Sequence, residues 1–337
     1  MNRRAAIWNG QPVRRGWWRG LAALGLGLGS SGCTHLNRER PPPTPDAIQA
    51  FLQGAQDPRL HWVRVARLPA GAFQLENVNR LHPGQQAVLE FSDRRRNAAA
   101  SVTIEDRFGG KHAALLDTSQ AWSWTPLARA DTLDLIPLAP PGAFSLTVPW
   151  ESAPLSAQVA VARTLVAQFL RMESVSMAVL TSHGDLGPLA RGQPNVQLVL
   201  GTDFWRAFRW FAVDYPRRRV LLSVDREFRL PPGLMPESVP LDWQRGAYTV
   251  TATLDGITRE FVLDLAGDYA VALPEAAAGG PPRELMLGPL PPARLPVTPL
   301  AAVYGGPDER PRLGQAFFRA WRLVFDNRAR RLLFLPP

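Results

Sequence analysis

Residues 113–124 read A-A-L-L-D-T-S-Q-A-W-S-W, an apolar run that climbs into a carboxylate followed by a hydroxyl and a small residue. Residues 261–273, F-V-L-D-L-A-G-D-Y-A-V-A-L, repeat the shape with the hydroxyl gone. Both stretches follow the same prelude. A strand (V-T-I, 102–104) and a turn with Gly109 and Gly110 precede the first, and V-T-A-T-L (250–254) with Asp255-Gly256 precedes the second. A second block also recurs. Residues 198–222 read L-V-L-G-T-D-F-W-R-A-F-R-W-F-A-V-D-Y-P-R-R-R-V-L-L, and residues 312–334 read R-L-G-Q-A-F-F-R-A-W-R-L-V-F-D-N-R-A-R-R-L-L-F. Each runs Leu-Gly, two aromatics, Arg-Ala, an aromatic, then an apolar strand ending in Asp and an arginine turn. Two blocks repeating in one order point to a tandem duplication.

The chain has 337 residues, enough for two lobes, and its 46% hydrophobic and 20% charged content suits a globular body. The formal charge of +9 comes largely from the first 32 residues, which carry five arginines and no acids. The remainder balances 33 basic against 29 acidic residues, which gives nucleic acid no electrostatic footprint as a partner. Arg3, Arg4, Arg14, Arg15 and Arg19 precede a short apolar run ending at S-S-G-C. That is the layout of an export signal over 1–32. V-R-R-G-W-W-R resembles a twin-arginine signal and S-S-G-C resembles a lipoprotein box, with Cys33 as the acylated residue. A plain signal peptide with an incidental cysteine is the alternative. Cys33 is the chain's one cysteine, so no intramolecular disulfide competes for it. Residues 33–45 are a proline-rich tether. These features predict an exported, membrane-anchored protein of the bacterial envelope facing the periplasm.

The body reads as mostly strand. Alternation marks 61–68 and 87–91, and 101–104, 113–116 and 144–148 read as short strands separated by Gly, Pro and Asp. The best helical candidate is 157–172, with Val159, Val161, Leu165, Phe169 and Leu170 on one face. Asp46 is expected to cap a short helix through Leu52, and 203–208 one or two helical turns.

An apolar strand running into Asp-Thr-Ser, followed later by hydrophobic-Leu-Gly and a short helix, resembles the aspartic protease family, over residues 96–337. The resemblance implies an all-β fold of two tandem aspartic-protease-like lobes of the closed-barrel type with few short helices. The first lobe would span 96–228 and the second 229–337, while 46–95 forms a small domain or adds strands to the first. It also implies an aspartic-type endopeptidase needing no metal or organic cofactor, with a peptide or protein as substrate. Two neighbouring carboxylates share a proton, one activating a water and the other polarising the peptide carbonyl. Carried over, the dyad is Asp117 and Asp264. Thr118 matches the threonine whose hydroxyl bonds across to the partner loop. Ser119 and Ala266 stand where the family most often has glycine.

The second copy departs from the pattern. Leu265 replaces the hydroxyl residue, and Gln120 and Gly267 replace the serine or threonine that often supports the aspartate. A catalytically weakened or inactive lobe pair serving as a peptide- or protein-binding module is therefore the competing reading. A dimer using only the D-T-S copies is a third. Residues 147–154 are the expected flap, with Trp150 as an aromatic lid or as ordinary packing. His35, His61, His82, His112 and His183 show no metal-ligand spacing, and His112 is expected on a strand surface. The clusters Arg94–Arg96, 217–219 and 328–331 read as solvated hairpin ends. Neither a serine-hydrolase elbow nor a phosphate loop occurs in the mature chain.

Overall fold

The computed structural model describes residues 41–67, 73–77, 80–93, 99–140, 142–146, 148, 153–184, 186, 196–230, 233–303 and 309–336. The expected signal segment 1–32, Cys33, Arg94–Arg96, Trp150 and most of the 182–194 loop lie outside them. Asn37–Pro337 form one compact unit. No helix among the described residues is long and apolar enough to cross a membrane.

The two copies fold alike. In the first, Ser101–Asp106 and Lys111–Leu116 form a hairpin, and Lys111–Leu116 then pairs in parallel with Val196–Leu200. In the second, Ala247–Leu254 and Ile257–Asp264 form the hairpin, and Ile257–Asp264 pairs in parallel with Arg312–Gly314. Both turns need left-handed backbone: Gly109 has φ +82°, and Asp255-Gly256 has φ 47° and 82°. In each copy the aspartate ends or follows the strand, beside a Leu-Gly strand drawn from far along the chain. A single-turn helix follows each glycine, Thr202–Trp205 and Gln315–Phe318.

The first lobe forms a nine-stranded sheet and the second an eight-stranded one. A six-stranded sheet joins them, in the order Glu237–Pro240, Arg331–Leu335, Arg322–Asp326, Trp210–Asp214, Arg219–Ser223, Gln86–Glu90. Its two central strands are the duplicated ones, paired antiparallel from Trp210↔Asp326 to Asp214↔Arg322. Ala212↔Val324 marks the centre of this pairing, so the copies meet about a local two-fold axis. On the inner face Phe211 stacks on its cross-strand partner Phe325 at 4.3 Å and 7°, with Tyr248 against both. These rings belong to one buried apolar cluster that runs through both lobes.

Segment 46–95 contributes strands: Gln86–Glu90 edges the joining sheet, Arg80–Leu81 pairs with Leu170–Leu180, and Val63–Arg67 pairs with Phe73–Asn77. The helix Pro45–Gln53 is capped by Thr44, whose Oγ1 accepts from the Ala47 amide, while Asp46 sits inside the first turn. The first alternating stretch opens with a one-turn 3-10 helix, Pro58–His61, before its strand.

Three expectations fail. Thr44, not Asp46, caps the first helix. Residues 157–172 form no helix but the hairpin Leu155–Ala167 with Leu170–Leu180. Both faces of Leu155–Ala167 are buried over its middle, so Val159–Ala162 form a continuous apolar run that hides the strand period. Phe169 sits 81% exposed at the tip. His112 is likewise buried, not on the surface. Its Nε2 lies 2.8 Å from Asp106 Oδ2 and its Nδ1 2.7 Å from Gln197 Oε1. Asp106 also accepts the Phe108 and Gly110 amides, which closes the first hairpin turn.

Because Phe211 has no exposure and carries the ring contact between the copies, Phe211→Ala should destabilise the chain by about 3–5 kcal/mol in denaturant unfolding. A loss below about 1 kcal/mol would show that the joining sheet does not depend on this stack.

Candidate active site

The chain brings Asp117 and Asp264 to facing loops at the centre of the molecule, and both are fully buried. The Thr118 Oγ1–Leu263 O bond ties the two loops together. Their surroundings differ.

Asp117 follows Lys111–Leu116, and its amide donates to Leu200 O. Its Oδ1 accepts from the Ser119 amide at 2.8 Å and from Ser119 Oγ at 2.7 Å. Its Oδ2 is buried with no hydrogen-bond partner among the described residues. Burial, and then the charge of Asp264, push its pKa up to about 7, against the opposing pull of the Ser119 bonds and Arg312. The loop is anchored from behind by a pair the sequence did not reveal. Ser123 donates its amide and hydroxyl to Asp203 Oδ1, and its Oγ accepts the Gly201 amide. Burial raises Asp203 to about 6.

Thr118 makes the expected cross-lobe bond, donating from Oγ1 to Leu263 O at 2.7 Å. Its own carbonyl accepts the Tyr248 amide at 3.1 Å. Thr202 adds a second bridge, from Oγ1 to Gly246 O at 2.8 Å. Leu265, in the equivalent position of the second loop, has no hydroxyl to return the bond, and lies in the apolar core instead.

Asp264 is saturated. Its Oδ1 accepts the Ala266 amide at 3.1 Å and the Gly267 amide at 2.8 Å. Its Oδ2 accepts the Tyr269 hydroxyl at 2.5 Å and faces Arg312 Nη1 at 3.4 Å. Both members of that ion pair are fully buried. The parallel register Val262↔Arg312 and Asp264↔Gly314 sets the arginine beside the aspartate. Tyr269 reaches it through a slot of glycines. A side chain on Gly314 would meet the Tyr269 ring and carbonyl at 2.3–2.8 Å, and one on Gly267 would meet the ring at 2.3 Å. Neither Arg312 nor Tyr269 is a residue that the sequence reading picked out. The signal was there in the first copy, which has Val199 and Trp122 at the matching places.

The hairpin Ala143–Leu146 with Leu155–Ala167 stands where the flap is expected, closing from Leu146↔Leu155. Phe144 packs on Trp122 at 5.3 Å between ring centroids. Leu146, Val148 and Leu155 from this hairpin share one buried apolar cluster with Tyr269, Ala272 and Leu300 of the second lobe. Apolar side chains of the flap-like hairpin and of the second lobe thus belong to one cluster. Among the described residues, no group of three or more histidine, cysteine or acidic side chains could hold a metal ion.

Among solved structures the chain is similar to the aspartic proteinase from Irpex lacteus, with a TM-score of 0.50 and 12% identity over 75% of this chain and 97% of that one. The fold is aspartic-protease-like. No family model and no curated protein matches the sequence. The likeness therefore bears on the fold and leaves activity to the site itself.

The raised pKa of Asp117 has a definite consequence. Between about pH 4 and 7 the folded chain binds a proton at Asp117 more tightly than the unfolded chain, so this group's contribution to stability falls as pH rises through that window and is flat above it. Asp117→Asn should then gain stability over wild type as pH rises from 4 to 7, by on the order of a few kcal/mol. Thermal melts of both proteins across this range check it; a pH-independent difference would show that Asp117 is not held in its acid form.

Proposed function

We propose that this chain is a catalytically silent aspartic-protease-like module of the bacterial envelope, one that binds a peptide or protein partner without cutting it. The observation that carries this reading is the environment of Asp264. Water activation requires two carboxylates with facing oxygens free to share a proton and hold a water. Asp264 has a guanidinium and a phenol on Oδ2 and two amides on Oδ1, which leaves no lone pair well placed for that water. Arg312 sits 3.4 Å from Asp264 Oδ2, on the oxygen that would otherwise face a water. Location at the envelope, with Cys33 as lipid anchor and the body in the periplasm, rests on the N-terminal sequence pattern.

A weakened endopeptidase is the second reading, and specific features favour it. The Thr118 grip is intact, and Asp117 keeps an unpartnered oxygen on a carboxyl that titrates near neutrality. In that reading Asp117 is the general acid and Asp264 the base once Tyr269 swings away.

Incubation of the mature chain with a mixed peptide library between pH 3 and 8 separates the two, with Asp117→Asn and Asp264→Asn alongside. The silent module gives no pepstatin-sensitive cleavage at any pH. Cleavage abolished by both substitutions would overturn the proposal and establish the dyad.

A further inference from the structure

The rear face of the joining sheet, away from the aspartates, carries a cavity of about 690 Å³. Its floor is Trp210 and Gln86 on the sheet, and its wall is the segment after Arg219–Ser223, with Arg226, Phe228 and Arg229. Arg322 from a central strand completes the lining. The wall is fixed in place. Trp210 Nε1 donates to Arg226 O at 2.8 Å, Arg209 Nη1 donates to Asp225 O at 2.9 Å, and the Gly84 amide donates to Asp225 Oδ1 at 2.8 Å. Trp210 and Phe228 meet edge to face at 5.1 Å and give the cavity its apolar part.

The charge here is unbalanced. Glu227, the one acidic residue of the lining, is taken by Arg209 at 2.7 Å. The carboxylate paired in register with Arg322 is Asp214, whose Oδ2 already lies 3.4 Å from both Arg217 and Arg219. Arg322 is left with a buried Nε that has no hydrogen-bond partner among the described residues, and its guanidinium lies 5.8 Å from the Phe228 ring. Burial lowers its pKa, with Arg219 and Arg217 adding to the push and Asp214 opposing it. A half-buried arginine in such company is stabilised by an anion with planar or tetrahedral oxygens, which a guanidinium grips through two parallel bonds. The cavity is too large for a bare inorganic anion, and its aromatic floor suits an apolar body attached to one.

We propose that this cavity binds an oxyanion, phosphate or carboxylate, carried on a small apolar or aromatic body, with Arg322 and Arg229 as its clamps. The site is separate from the aspartate pair and holds whether or not the chain cuts peptides. A soluble metabolite and a lipid headgroup share this chemistry; the aromatic floor favours the soluble one.

Isothermal titration of the purified chain at about 0.15 M salt, where exposed charges are largely screened, uses phenyl phosphate and benzoate as probes and benzyl alcohol as the neutral control. Saturable binding of at least one anion and none of the alcohol is expected. Arg322→Gln and the exposed Arg229→Gln should each weaken it about tenfold or more, as expected for loss of a charge-assisted bond, with melting midpoints unchanged. No saturable anion binding, or binding indifferent to both substitutions, overturns the site. Capture by phosphatidylglycerol vesicles without binding of the soluble probes also overturns it, and assigns these arginines to a bilayer surface.

Discussion

Arg312 is a fully buried guanidinium in a strand whose other residues belong to the core, and it is tolerated there because Asp264 faces it. A buried charge without a counter-charge costs several kcal/mol, so each of the pair requires the other. This constraint spreads outward. The parallel register that places Arg312 beside Asp264 also places Gly314 where Tyr269 must pass, and Gly267 opens the other wall of the slot. Tyr269 in turn joins the apolar cluster that includes the flap-like hairpin. Retention of an aspartate in the second loop thus has a structural cause independent of proteolysis.

The two loops have diverged on one scaffold. The first keeps Thr118, Ser119 and the Ser123–Asp203 anchor, all hydroxyl-to-acceptor contacts that orient a carboxylate while leaving one oxygen open. The second has Leu265 and Ala266 in place of Thr118 and Ser119, and Ala270 and Ala316 where the first has Ser123 and Asp203. It holds its aspartate by ion pair and phenol instead. The backbone around both is nearly the same, since hairpin, parallel Leu-Gly strand, single-turn helix and second hairpin recur in order. A shared backbone fixes where the carboxylates sit, and the neighbours decide what each can do. The stacked rings of Phe211 and Phe325 hold the two halves together at the joining sheet whatever the fate of the site.

Much of this was legible in the chain. The duplicated D-T-S and D-L-A stretches with their Leu-Gly partners gave the two lobes, and the missing hydroxyl at Leu265 announced the lost half of the cross-lobe grip. The long hairpin over 155–180 does not show in local pattern, because two-sided burial around Val159–Ala162 erases the alternation that marks a strand. His112 was placed outside for want of its partners, Asp106 and Gln197, the second of them 85 residues away. Arg312 and Tyr269 stood in plain view in R-L-G and L-A-G-D-Y. Their meaning depends on a strand register between segments some fifty residues apart, which local pattern does not carry.

The central claim is that Asp264 belongs to a structural ion pair rather than to a proton-sharing dyad. A double-mutant cycle on unfolding free energy, with Asp264→Asn, Arg312→Met and the two combined, tests it most directly. The ion pair predicts that each single change costs about 3–5 kcal/mol and that the double costs clearly less than their sum, with a coupling of about 2 kcal/mol or more. A like-charged catalytic pair predicts the reverse sign for the aspartate, because removing one carboxylate relieves its partner. An Asp264→Asn chain as stable as wild type or more so, with effects that simply add, would contradict the account.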